Sequence, residues 1–209
     1  MTRAAVPLLI VLGVLIGLST HTVVNCGDED EPDICSAVIG FSPFRGSLIA
    51  FAYEGRGRIA LRHGDYGRAL ADFNEAIHLN PNRASLYRDR AQAYRQTGQR
   101  ELAIADYDEA IALDPKLAAP YHERGLALAA KGDLDRAILS YSTAVRLDPS
   151  DAQVRLDRGL AFVARGQADD ARADFEAALA LPAGKDGRTR DAARAKLAEL
   201  SNAASAPRR

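Results

Sequence analysis

Three prolines, Pro81, Pro115 and Pro149, stand 34 residues apart, and the sequence between them repeats in register. Gly64, Gly98, Gly132 and Gly166 share one column; Ala69, Ala103, Ala137 and Ala171 share a second. Phe73, Tyr107, Tyr141 and Phe175 form a third, and Ala76, Ala110, Ala144 and Ala178 a fourth. A module this short cannot bury its own apolar face, so it must stack on copies of itself.

Within a module the apolar residues follow a helical period. Between Gly64 and Pro81, Tyr66, Ala69, Leu70, Phe73, Ala76, Ile77 and Leu79 recur at three- and four-residue spacing, which marks one helix face. The column glycines fall where one helix stops and the chain reverses, a left-handed position that glycine enters cheaply. Asn80, Asp114 and Asp148 each precede proline and are pushed out of the helical region, which ends the second helix. Ser150 with Gln153 reads as a capping box for the helix that follows. These signals predict helices at 50–63, 66–79, 84–97, 100–113, 118–131, 134–147, 152–165 and 168–181.

The residues resemble the tetratricopeptide repeat. An aromatic stands at repeat position four (Tyr53, Tyr87, Tyr121), a small residue at eight (Gly57, Ala91, Gly125, Gly159), and Pro at thirty-two. The fourth repeat departs, with Arg155 in the aromatic slot and Pro182 one residue early. The resemblance implies an all-α fold: a right-handed α-solenoid of about four helical hairpins at 50–83, 84–117, 118–151 and 152–182. It also implies a concave face lined by first-helix positions two, five, nine, twelve and thirteen. In the first two repeats these positions hold Phe51, Glu54, Arg58, Arg62, Arg88, Gln92 and Arg95; in the last two, His122, Leu126, Leu156 and Leu160. That face grades from basic to apolar and suits a protein or peptide partner with an acidic end and a greasy end. Glu54 and Arg58 stand where the chaperone-type carboxylate clamp carries Lys and Asn, so that clamp is not expected.

One further column is charged. Arg56, Arg90, Arg124 and Arg158 share position seven, and Asp72, Asp106 and Asp174 share position twenty-three, with Ser140 in the third repeat. Four arginines in register are either a ligand ladder or, as expected here, partners for acids on packed neighbouring helices.

Outside the array the signals change. Residues 1–24 hold Arg3, then an apolar run from Ala4 to Leu18, and read as a cleaved export signal or a retained membrane anchor. Acidic residues from Asp28 to Glu31 follow the run, which predicts that the repeats lie outside the cytoplasm, periplasmic or anchored at the inner membrane. Cys26 and Cys35, the only cysteines, bracket that acidic stretch. In an oxidising compartment they predict a disulfide worth about 2.5–3 kcal/mol, with lipidation of Cys26 a lesser alternative. Residues 34–39 resemble the second helix of a worn-down repeat, expected to cover the first hairpin, and a linker runs from Gly40 to Ser47. At the other end, 187–203 alternates apolar and basic residues as a capping helix does, and 204–209 reads as a tail.

The net charge of −1 gives no sign of nucleic acid as a partner. The sequence has no nucleophile–base pair, phosphate-binding glycine loop or clustered metal ligands, so no catalysis, cofactor or metal is expected. The expectation is a protein-interaction scaffold of the bacterial cell envelope. The alternatives are a self-associating subunit or an accessory subunit of an envelope enzyme complex.

Overall fold

The computed structural model describes residue 39, residues 46–182 and residues 187–205. The hydrophobic segment 1–24, the Cys26–Cys35 pair, the body of the linker and residues 206–209 lie outside the described residues. From Ser47 onward the described elements are all helical: α1 (Ser47–Arg62), α2 (Tyr66–Leu79), α3 (Ala84–Gln96), α4 (Arg100–Leu113), α5 (Ala118–Lys131), α6 (Leu134–Leu147), α7 (Ala152–Ala164), α8 (Ala168–Ala180) and α9 (Arg188–Ser205). They fall into two compact units, α1–α3 and α4–α9.

The helix ends follow from local chemistry. Gly64, Gly98, Gly132 and Gly166 all take positive φ, between 76° and 88°, as a chain reversal requires. Asn80 and Asp148 leave the helical region at φ −144° and −131°, held there by the prolines that follow. Several helices end one residue before the expected position, and three helix ends differ in more than that. Helix α1 starts three residues early, inside the expected linker, because Gly46 at φ 133° turns the chain and its carbonyl accepts from the Ala50 amide. Helix α9 runs on to Ser205, two residues into the expected tail. The cap of α7 is Asp151, not Ser150: the Asp151 carboxylate accepts from the Gln153 and Val154 amides. Ser150 instead donates to Asp148 at 2.7 Å, and these bonds from Ser150 hold the Asp148 carboxyl below its usual range.

In the first, third and fourth hairpins, the glycine at position eight receives the aromatic ring at position twenty-four. An added Cβ would lie 2.8 Å from the Phe73 ring at Gly57, 2.4 Å from Tyr141 at Gly125 and 2.5 Å from Phe175 at Gly159. In these three hairpins the ring therefore fills the space between the two helices. Phe73, Tyr141 and Phe175 are almost fully buried, so glycine is what lets the two helices close on them.

The position-seven arginines tie neighbouring helices together within each unit. Arg56 makes a fork with Asp72 at 2.8 and 2.7 Å, and Arg158 one with Asp174 at 2.7 and 2.6 Å. Arg124 donates to Ser140 at 3.1 Å and backward to Asp108 at 2.5 Å. Arg158 reaches backward in the same way, to Ser142 at 2.9 Å, and Arg90 to Asn74 at 2.7 Å. Each backward reach spans 16 residues, so a first helix is tied to the second helix of the repeat before it. Arg56, Arg90 and Arg124 also lie over the position-four rings of Tyr53, Tyr87 and Tyr121. In the fourth repeat Arg158 lies over Phe162 instead, and Arg155 takes over a tyrosine's polar task. It donates to the Pro149 carbonyl at 3.1 Å, as the Tyr121 hydroxyl does to Pro115 at 3.4 Å. The arginine column is thus structural.

Candidate partner-binding faces

In the first unit the face is built from α1 and α3. Phe51, Glu54, Arg58 and Arg62 recur along one stripe of α1, and Arg88, Gln92 and Arg95 along one stripe of α3. Phe51 packs on the Ala52 and Ile59 cluster and lies under the Arg83 guanidinium at 5.6 Å. Glu54 is 1% exposed. It ion-pairs with Arg58 at 2.7 Å and Arg83 at 3.1 Å and accepts from the Ser85 hydroxyl at 3.1 Å. Arg58 also donates to Asp89 at 2.5 Å, and Asp89 accepts from Arg88 at 3.1 and 2.7 Å. Two buried carboxylates thereby hold three arginines side by side, each with about a third of its side chain exposed. Arg62 is exposed at the end of α1, while Gln92 and Arg95 are half-buried. The arginines outnumber the carboxylates, so the face is basic and its cations are held in place before any ligand arrives.

In the second unit the face is built from α5 and α7 and bounded by α9. His122 Nε2 lies 2.8 Å from Asp157 Oδ2, and Gln153 donates to the other carboxylate oxygen at 3.1 Å. The Thr189 hydroxyl of α9 donates to Gln153 at 2.8 Å, which closes a polar chain across all three helices. Burial first, and the Asp157 charge second, raise the Tyr141 phenol above its ordinary range. Leu126 is half-buried, and Leu160 and Val163 are each 38% exposed. Beside them a pocket of about 370 Å³ opens between α7 and α9, lined by Gln153, Leu156, Arg188, Thr189 and Ala192.

Two of the residues expected on the open face are buried. Glu54 serves as the internal counter-ion of the first unit. Leu156, 5% exposed, belongs to a core with Ala171, Phe175, Ala178 and Ala193, closed by Leu197 and Leu200 of α9. The remaining predicted residues lie on the two faces, each within its own unit. Sequence reading missed Asp89, Asp157, Arg83 and Thr189. The first two had a signal: Asp89, Glu123 and Asp157 form an acidic column at position six. In each unit that acid receives a basic group from the preceding first helix, Arg58 or His122. Among the described residues no cluster of three or more His, Cys, Asp or Glu converges, and no helix is long and apolar enough to cross a membrane.

With fold and faces in hand, the class of protein follows: an all-α solenoid of helical hairpins. The chain belongs to the tetratricopeptide repeat family. A tetratricopeptide repeat family model matches residues 57–120 and a TPR repeat model matches 125–166, together just over half of the chain. No curated protein matches it. Among solved structures it is similar to MamA at 23% identity and TM-score 0.65, over 71% of this chain and 84% of that one. It is similar to YrrB, described as a TPR protein with an unusual peptide-binding site, at 19% identity and TM-score 0.63, over 79% and 81% of the two chains. It is also similar to the first TPR of Spaghetti (RPAP3) bound to an HSP90 peptide, at 23% identity and TM-score 0.57, over 58% of this chain and 98% of that one. Identities this low speak for the fold alone.

Proposed function

We propose that this chain is a non-enzymatic scaffold that binds a protein or peptide partner carrying an acidic segment and an apolar one. The observation that carries the reading is the α1–α3 face, where buried Glu54 and Asp89 line up Arg58, Arg83 and Arg88, each about a third exposed. Such a face favours carboxylates through charge-assisted bonds at little ordering cost. Leu126, Leu160 and Val163 offer the apolar contact in the second unit. The peptide-binding site of YrrB and the peptide bound by Spaghetti lend the reading support by analogy. We place the protein in the bacterial cell envelope, on the apolar run Ala4–Leu18 and the charge asymmetry around it. Photoreactive residues at Arg88 and Leu160 in intact cells test this. One shared partner captured from both sites supports the scaffold; capture of the chain's own copies alone replaces it with self-association.

A further inference from the structure

Helix α9 keeps the register of a first helix. Ala193 stands 34 residues after Gly159 and is fully buried, and Asp191 stands 34 after Asp157. In α3 and α7 the acid at that position, Asp89 or Asp157, draws in a basic side chain from the preceding first helix. That side chain is Arg58 at position nine in one case and His122 at position five in the other. The first helix before α9 is α7, and it carries leucines at both positions, Leu156 and Leu160. Asp191 instead pairs with Arg194 of its own helix at 3.1 Å, and its side chain is 74% exposed.

Replacing the basic residue by leucine leaves a gap. Farther along α9, Ala193, Leu197 and Leu200 close on the core of the fourth repeat. At the start of α9, Thr189 bonds to Gln153, and beside that bond opens the pocket of about 370 Å³. Leu156 and Ala192 give it apolar walls, Gln153 and Thr189 give it hydrogen-bonding groups, and Arg188 gives it positive charge. Leu160 and Val163, each 38% exposed, carry the apolar surface onward along α7. The first two turns of α9 set Arg188, Arg190 and Arg194 against Asp191, so the rim favours an anion.

We propose that this pocket seats a large apolar side chain of the partner with an aspartate or glutamate next to it in the chain. The proposal deepens the apolar contact assigned above to the second unit and rests on that reading. Arg188 and Ala192 stand four residues apart on one helix, which puts charge and apolar wall about 6 Å apart along its axis. Neighbouring residues of a peptide span that distance, and the rest of the segment can lie along Leu160 and Val163. Once seated, the partner ties the start of α9 to α7, as Arg58 and His122 tie first helices together elsewhere in the array.

The test uses the full chain and short labelled peptides of Gly and Ser with a central Phe-Glu pair, followed by fluorescence anisotropy and hydrogen exchange. The Phe-Glu peptide should bind more tightly than its Phe-Gln and Ala-Glu counterparts and slow amide exchange in the first half of α9. Ala192→Leu, at an exposed position, fills the pocket and should weaken binding about ten-fold. Arg188→Gln should erase the preference for Glu over Gln, a few-fold effect at so exposed a site. Excess oligoglutamate keeps the pocket separate from the α1–α3 face: it should leave the peptide bound, and displacement would put the peptide on the arginines of the first unit and overturn the proposal. Equal affinity for the parent and Ala192→Leu, or no binding at all, would overturn it too. Binding of phenylpropionate as tight as that of the peptide would replace the partner with a small carboxylate, and self-association abolished by Ala192→Leu would replace it with a second copy of this chain.

Discussion

The two units solve one problem in two ways. Position five of a first helix turns inward at both ends of the array, and both residues there are buried: Glu54 in the first unit, Leu156 in the second. Around Glu54 the structure supplies Arg58, Arg83 and Ser85. Around Leu156 it supplies alanines and the apolar side of α9. A buried carboxylate needs cations and donors, and these leave a charged rim; a buried leucine needs only a cover. The frame beneath is common to both, with an aromatic ring set on glycine and an arginine forked onto aspartate. The difference in surface chemistry therefore comes from a few inward positions and leaves the fold unchanged.

The sharpest way to break that contrast is to remove the apolar anchor. Leu156→Ala should cost about 3 kcal/mol, because the surrounding core collapses poorly around a lost side chain. Its loss should also loosen α9, whose Leu197 and Leu200 pack on the same cluster. Urea unfolding gives the energy, and hydrogen exchange in α9 shows whether the cover lifts with it. A variant as stable as the parent, with α9 still protected, would mean that α9 is held by its polar link to Gln153.

The next test asks whether the shared frame is equally tight in both units. Gly125→Ala puts a Cβ 2.4 Å from the buried Tyr141 ring, whereas Gly57→Ala meets Phe73 at 2.8 Å. Alanine gains about 1 kcal/mol of helix propensity at either site. Overpacking should outweigh that at Gly125, for a net loss of about 2 kcal/mol, and come closer to balance at Gly57. Thermal midpoints of the two variants, measured side by side, decide it.

Most of this frame was legible in the sequence. The 34-residue period fixed the helix boundaries closely because glycine and proline act on the backbone directly, with no help from distant contacts. The position-seven arginines were legible for the same reason, since their partners fall in a second column of the same repeat. The faces were less so. Position five reads as open groove, yet Glu54 is taken up by Arg58, Arg83 and Ser85, and Leu156 is covered by a helix beyond the last repeat. The cap at Asp151 was missed because Ser150 and Asp151 are both good capping residues, and Asp148 captures the Ser150 hydroxyl. Asp89 and Asp157 were visible as an acidic column but gain meaning only once the preceding first helix lies against them.

A smaller effect separates support from recognition on the basic face. Asp89→Ala removes the carboxylate that holds Arg58 and Arg88 together. The lost ion pairs should cost about 1–2 kcal/mol, moderated by the partial exposure of both arginines. Arg58 and Arg88 then each lose one carboxylate contact and the face gains net positive charge, so an oligoglutamate probe should bind a few-fold tighter at low salt and lose that gain as salt rises. Fluorescence anisotropy across a salt series reads both trends. Weaker binding at every salt concentration would show that Asp89 matters more for aligning the arginines than for masking them.

The smallest expected effect comes from one phenol that the first hairpin lacks. Phe73 and Tyr141 hold the same position, but burial, aided by Asp157, raises the Tyr141 hydroxyl above its ordinary range. Below pH of about 10 the phenol is protonated in both folded and unfolded chains and contributes no pH dependence. Above that, the unfolded chain releases the proton while the folded one keeps it, so stability falls as pH rises toward the folded value. Urea midpoints at about pH 8 and about pH 11 should therefore drop in the parent. Tyr141→Phe makes the third hairpin resemble the first in this respect and should shrink the drop. An equal drop in the variant would assign the alkaline loss to other groups and leave the two hairpins alike in their response to pH.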